Sequence, residues 1–226
     1  MDSVPEILLI LGVIGLFLGL LIFGIIAAKK RREAFQRIAE ELGFTFNPGK
    51  DRILAKRLRF LNSMDDGRNR YCVNVLSGEL NGHKMQIFDY HYETYSRDSD
   101  GKRKTNHHWY SIFTLCMTEE FPELVIKPEG VFAKFGQAIG FDDIDFESVE
   151  FSKRYDVRSK DKKFAYDFCN AQMIAYLLDQ DKLNIEVEGS TLALSFRRKL
   201  SVDKIRPNID RIQKIRTLMP NYLFTD

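Results

Sequence analysis

Cysteine is scarce and proline is sparse. The three cysteines, Cys72, Cys116 and Cys169, are odd in number and lie 44 and 53 residues apart. That spacing excludes a disulfide framework and a CxxC zinc site. Six prolines and no low-complexity tract exclude collagen-like, mucin-like and Pro-rich linker classes. Neither sign of charge dominates: 34 basic residues stand against 32 acidic, a net +2, so the chain is neither a polycation nor an acidic tail. The chain carries no Asn-x-Ser/Thr sequon, no P-loop, no GxGxxG, no GxSxG and no HExxH. No repeat of 20–50 residues occurs. These absences weigh against an enzyme, and neither a catalytic residue nor a cofactor is assigned.

What the chain does have begins with an apolar run. Ile7 to Ala28 is 22 residues without a charge. As a helix it spans about 33 Å, enough for a hydrocarbon core of about 30 Å. Backbone amides in lipid need internal partners, so the run is expected to be helical. Asp2 and Glu6 precede it and no Lys or Arg does, unlike a cleaved signal peptide. Lys29, Lys30, Arg31 and Arg32 follow it directly, as a basic collar facing anionic lipid. The basic side stays in the cytoplasm. The expectation is therefore a single-pass protein of the cell membrane, with its N-terminus outside and residues 29–226 cytoplasmic. Unpaired cysteines and missing sequons agree with that side. Gly15 and Gly19 fit the small-residue pairing motif, so a homodimer through the membrane helix is a further expectation.

Three regions follow: an anchor over 1–28, a basic amphipathic helix over 29–43, and one cytoplasmic domain over 44–226. Ala34, Phe35, Ile38, Ala39 and Leu42 recur at helical spacing, and Gly43 is a natural stop. Phe44 to Phe46 reads as a strand, and Ile53, Leu54, Leu58 and Leu61 as a short helix. Tyr71–Leu80 and His83–Tyr95 read as a hairpin around Asn81-Gly82, the preferred type I′ pair. A polar loop over Ser96–Asn106 leads to strands at Trp109–Thr118 and Leu124–Ile126. The pattern then predicts a short helix over Val131–Gly140, a strand over Phe151–Val157 and one helix over Asp161–Asp179. A second hairpin around Glu188-Gly189-Ser190 and a helix over Asp203–Leu218 complete the chain. The order lacks βαβ alternation, so the expected fold is α+β: a transmembrane helix, then a mainly antiparallel sheet with helices packed on one face.

Charge is uneven along the soluble part. Residues 29–70 carry twelve basic and six acidic side chains, and residues 197–216 carry eight and two. No nucleic-acid-binding motif accompanies these patches, so nucleic acid is not an expected partner. Asp89, His91 and Glu93 alternate on one strand face, with His107 and His108 across the following loop. His and carboxylate suit Zn²⁺. No tight ligand spacing is present, however, so no metal site is assigned. These five remain the candidates for one, against the plainer reading of a solvated face opposite Phe88, Tyr90 and Tyr92.

Phe88-Asp89-Tyr90-His91-Tyr92-Glu93-Thr94-Tyr95, Lys127-Pro128-Glu129-Gly130 and Asp145-Phe146-Glu147-Ser148, with Glu150-Phe151-Ser152 and Tyr155, occur in that order behind one apolar helix. Together they resemble a widespread group of uncharacterised single-span prokaryotic membrane proteins, over roughly residues 30–218. The resemblance implies a prokaryotic cytoplasmic-membrane location and brings no catalytic residue with it.

The function expected from the sequence is a non-enzymatic interaction or regulatory module at the inner membrane surface, touching the bilayer and a protein partner. Two alternatives come from other classes. One is a metal-dependent or hydrolytic tethered enzyme using His91, His107 or His108. The other is an anionic-lipid-binding domain.

Overall fold

The computed structural model describes residues 3–130 and 142–224; the helix expected over Val131–Gly140 lies outside the described residues. The chain begins with α1, Ser3–Leu42, one unbroken helix of 40 residues. It stops where Gly43 adopts φ +69°, a conformation that costs glycine little. Gly43 N–H then donates to Glu40 O and Phe44 N–H to Ala39 O, a Schellman closure of the last turn. The apolar stretch of this helix is exposed over residues 11–28, including Leu16, Phe17 and Phe23. The last turns are not: Phe35, Ile38 and Ala39 are buried in the domain core. The apolar run and the amphipathic helix are thus a single rod, and its end belongs to the fold.

The sheet is antiparallel. Its strands are β1 Thr45–Asn47, β2 Arg68–Leu80, β3 His83–Arg97, β4 Arg103–Pro128, β5 Asp142–Asp143, β6 Tyr155–Ser159 and β7 Asn184–Arg197. The order is β1-β2-β3-β4-β6-β5, and β7 pairs with β4. The long β4 is central: β3 and β7 flank its first half, β7 and β6 its second. The helices are α2 Arg52–Arg57, α3 Val149–Arg154, α4 Lys162–Phe168, α5 Ala171–Asp179 and α6 Ile205–Leu218. The architecture is α+β, as the element order implies.

Both faces of the sheet are covered. The larger core sets Phe35, Phe151, Phe168, Met173, Ile209 and Ile212 against Ile87, Phe113 and Leu194. The end of α1 and α3 to α6 share that face. The smaller core sets Leu54, Leu58, Leu61 and Met64 against Phe88, Tyr90 and Ile112, so α2 and the turn after it lie on the opposite face. A strand buried on both sides has no solvated face, and Asp89 and His91 are buried accordingly. That corrects the plainer reading of Asp89, His91 and Glu93 as a solvated row.

Several boundaries differ from the sequence pattern for local reasons. The polar loop shrinks to a tight turn, because Asp98 Oδ1 accepts the N–H groups of Asp100 and Lys102 and lets both strands run on. The expected helix over Asp161–Asp179 breaks in two. Asn170 Oδ1 accepts from Gln172 and Met173, restarting the helix as an N-cap. Ser148 caps α3 in the same way, accepting from Phe151 N–H, so a helix takes the first part of the strand expected over Phe151–Val157 and β6 begins only at Tyr155. Glu188-Gly189-Ser190 is not a hairpin turn. β7 runs straight through it, with Gly189 at φ +54° beside a register break in β4.

Gly78 on β2 lies beneath the ring of Phe44, the first residue after the α1 cap. A Cβ there would stand 2.1 Å from Phe44 Cδ1. Gly78→Ala is expected to destabilise the domain by about 1–3 kcal/mol, read as a lower urea midpoint with an unchanged slope.

Candidate functional site

β3 brings three polar side chains to one face, and the register with β4 decides what each one meets. Asp89 stands opposite Ser111, His91 opposite Trp109 and Glu93 opposite His107. On the other side, β2 places Tyr71 opposite His91.

Asp89 is fully buried and accepts from three elements. Arg31 of α1 grips it with two parallel bonds, Nε to Oδ2 at 2.8 Å and Nη2 to Oδ1 at 2.7 Å. Asn74 Nδ2 donates at 3.0 Å and Ser111 Oγ at 3.0 Å. Arg31 Nη1 also donates to Leu200 O, and Leu200 N–H donates to Ser111 Oγ. The fork of a guanidinium matches a carboxylate in this bidentate way, where a lysine would not. Only one residue of the basic collar is used so. Lys29, Lys30 and Arg32 are exposed, and Lys29 stands 3.9 Å from Glu33. Arg31 lies one turn before Phe35 on the same helical stripe, and its guanidinium sits 4.8 Å from the Phe35 ring centre.

Next to this clamp, Tyr71, His91 and Trp109 form an aromatic row across three strands. The His91 ring stacks on Tyr71 at 4.4 Å and meets Trp109 at 4.7 Å. Lys50 Nζ caps the Tyr71 face at 4.4 Å and Lys199 Nζ caps Trp109 at 3.5 Å, both within cation–π range. His91 Nδ1 lies 3.3 Å from Asn69 O, so that nitrogen carries the proton. Its Nε2 points to His107 Nδ1 at 3.1 Å, and Glu93 Oε1 stands 3.6 Å from the same His107 nitrogen. Asn69 Nδ2 donates to Glu93 Oε1 at 2.6 Å. Burial holds the His91 pKa below its ordinary range; neighbouring His107 and Lys50 act in the same direction, while the Asn69 carbonyl and Glu93 oppose it.

The five sequence candidates therefore separate. His91, Glu93 and His107 converge. Asp89 is occupied by Arg31. His108 points to the opposite face, where it stacks on Tyr92 at 4.6 Å and bonds Thr94 Oγ1 at 2.8 Å. Gly15 and Gly19 have nothing within 4 Å of where a Cβ would stand, so each faces open space in this single chain. The pattern reading missed Asn69 and Asn74. Both adopt left-handed backbone, φ 49° and 53°, at the two register shifts of β2. Asparagine inside a β pattern was the available signal, since it tolerates this conformation better than most residues.

Elsewhere, a half-open groove of about 680 Å³ runs past Leu58, Phe60, Met85, Leu115 and Cys116. Its lining includes no histidine, so no nucleophile–imidazole pair faces it.

Breaking a buried ion pair from one side leaves an uncompensated charge. Asp89→Ala is expected to cost about 3–5 kcal/mol, while Arg31→Met with Asp89→Leu recovers much of that loss. Trp109, the single tryptophan, reports both unfolding curves by its fluorescence. A second expectation concerns pH. Because the folded state disfavours the charged His91 ring, the unfolded chain takes up the proton first. Stability is then full above about pH 6.5 and declines as pH falls below it. His91→Asn flattens this slope, and His108→Gln leaves it in place.

No family model matches this chain, and no curated protein sequence matches it. Among solved structures, the chain is similar to the mycobacterial trehalose monomycolate transport factor A, TtfA. The TM-score is 0.62 at 13% identity, over 85% of this chain and 96% of that one. At that identity the likeness is one of fold.

Proposed function

We propose that this protein is a single-span membrane module whose folded body lies at the cytoplasmic surface and holds a protein partner there without catalysing a reaction. The observation that carries this reading is the double use of α1. Its apolar stretch makes it long and apolar enough to cross a bilayer and is exposed over residues 11–28, and its last turns are core of the domain. No flexible linker separates the two, so the bilayer sets the body's height and tilt. A partner in the same membrane would meet a surface presented in one orientation, which lowers the entropy of docking. The exposed Lys29, Lys30 and Arg32 support contact with anionic headgroups and an inward-facing body. The fold shared with TtfA, a transport factor by name, supports an accessory rather than a catalytic role.

Cys116 is exposed, whereas Cys72 and Cys169 are buried, and burial pushes both of those thiols well up. A membrane-impermeant maleimide therefore reports the side on which the domain lies. The expected result is labelling of Cys116 in broken cells, none in intact cells, and a protein that stays in the membrane pellet after carbonate washing. Labelling in intact cells would reverse the orientation, and release by carbonate would remove the anchor.

A further inference from the structure

We propose that His91, Glu93 and His107 form a binding site for one divalent transition-metal ion, with Zn²⁺ the best match. The proposal is independent of the function proposed above.

The donor set is two imidazoles and one carboxylate, which suits zinc and its neighbours and is a poor set for Mg²⁺ or Ca²⁺, which favour all-oxygen shells. Three candidate ligand atoms, one from each residue, all lie within 4.8 Å of one another. His91 Nε2 and His107 Nδ1 are 3.1 Å apart, and His107 Nδ1 and Glu93 Oε1 are 3.6 Å apart. Ligands of a tetrahedral zinc, with bonds of about 2.0–2.1 Å, stand about 3.3 Å from each other. The two observed separations lie on either side of that edge length.

The supporting contacts also match a metal site. His91 gives its Nδ1 proton to the Asn69 carbonyl, which leaves the Nε2 lone pair facing the other ligands. Metal-binding histidines usually have their second nitrogen held in this way. The side chain of the same Asn69 holds the Glu93 carboxylate. One left-handed residue thus orients two ligands, through its carbonyl and its amide. Tyr71 and Trp109 fix the plane of the His91 ring from either side. The third ligand is the adjustable one: the His107 side chain is 59% exposed, against 13% for Glu93. The site therefore opens to solvent beside His107, where an ion can enter and a water can take the fourth position. An ion-free alternative exists for the same atoms. His107 Nδ1–H can donate to His91 Nε2, and this hydrogen bond is what an added ion would displace.

The test uses tag-free full-length protein in detergent, stripped with chelator and titrated with Zn²⁺ alone at neutral pH. Calorimetry is paired with elemental analysis after gel filtration. The expected result is one zinc per chain, with affinity falling about tenfold or more in His107→Ala and in Glu93→Gln, and unchanged in His108→Ala. Co²⁺ in place of zinc should give the visible absorption of a tetrahedral N/O site, lost in His107→Ala. His107 is exposed, so this variant should keep the wild-type Trp109 fluorescence and unfolding midpoint. His91→Ala, which removes a buried ring, is the secondary variant. Absence of stoichiometric zinc at micromolar free metal overturns the proposal. So does binding that survives His107→Ala, or that His108→Ala weakens as much.

Discussion

The Arg31–Asp89 pair is the constraint on which the rest of the architecture depends. A charged side chain just after an apolar helical run would ordinarily turn towards water. Here it turns inward, to a carboxylate with no access to solvent of its own. Burying Asp89 is tolerable only because every one of its donors is present: the guanidinium fork, the Asn74 amide and the Ser111 hydroxyl. Those donors come from α1, β2 and β4. The pair therefore requires the helix leaving the apolar segment to cross the sheet at one position and rotation. Apolar packing of Phe35 and Ile38 supplies much of the contact, but apolar contacts slide more easily than a bidentate pair. The ion pair is the contact that specifies register.

The geometry of β3 extends this logic outward along one strand face. Residues 87, 89, 91 and 93 pass from an apolar core through a buried ion pair to a stacked histidine and then to a carboxylate that is only slightly exposed. That gradient runs along β3 from its middle towards its C-terminal end. The same cross-strand register that gives Asp89 its serine gives His91 its tryptophan and Glu93 its histidine. The clamp and the histidine cluster are therefore neighbours on one face, held by Asn74 and Asn69 respectively, which both sit where β2 slips its pairing. Bulges of this kind turn side chains out of strict alternation, and here they aim two amides at two carboxylates.

Much of the outline was readable from residue patterns. The charge-free run, the Asn81-Gly82 hairpin, the Gly43 stop and the amphipathic stripes of α1 and α6 all rest on local chemistry, and the structure keeps each of them. The boundaries that moved did so where one polar side chain redirected the backbone: Asp98 tightening a loop, Ser148 starting a helix, Asn170 splitting another. A hydrophobic period is averaged over many residues and is insensitive to a single capping bond. The candidate site was legible only as a list. Asp89, His91, Glu93, His107 and His108 stood out by type, but alternation along one strand says nothing of what lies on the strands beside it.

The sequence by itself determined that an apolar helix precedes a basic collar and an antiparallel α+β body, because these follow from composition and period along the chain. Only the tertiary structure decided that Arg31 leaves the collar for Asp89, that His107 joins His91 while His108 faces away, and that both sheet faces are covered. Those outcomes depend on pairing between residues tens of positions apart. Strand register and helix rotation set such pairings, and a shift of one residue in either would send every one of these side chains to a different neighbour.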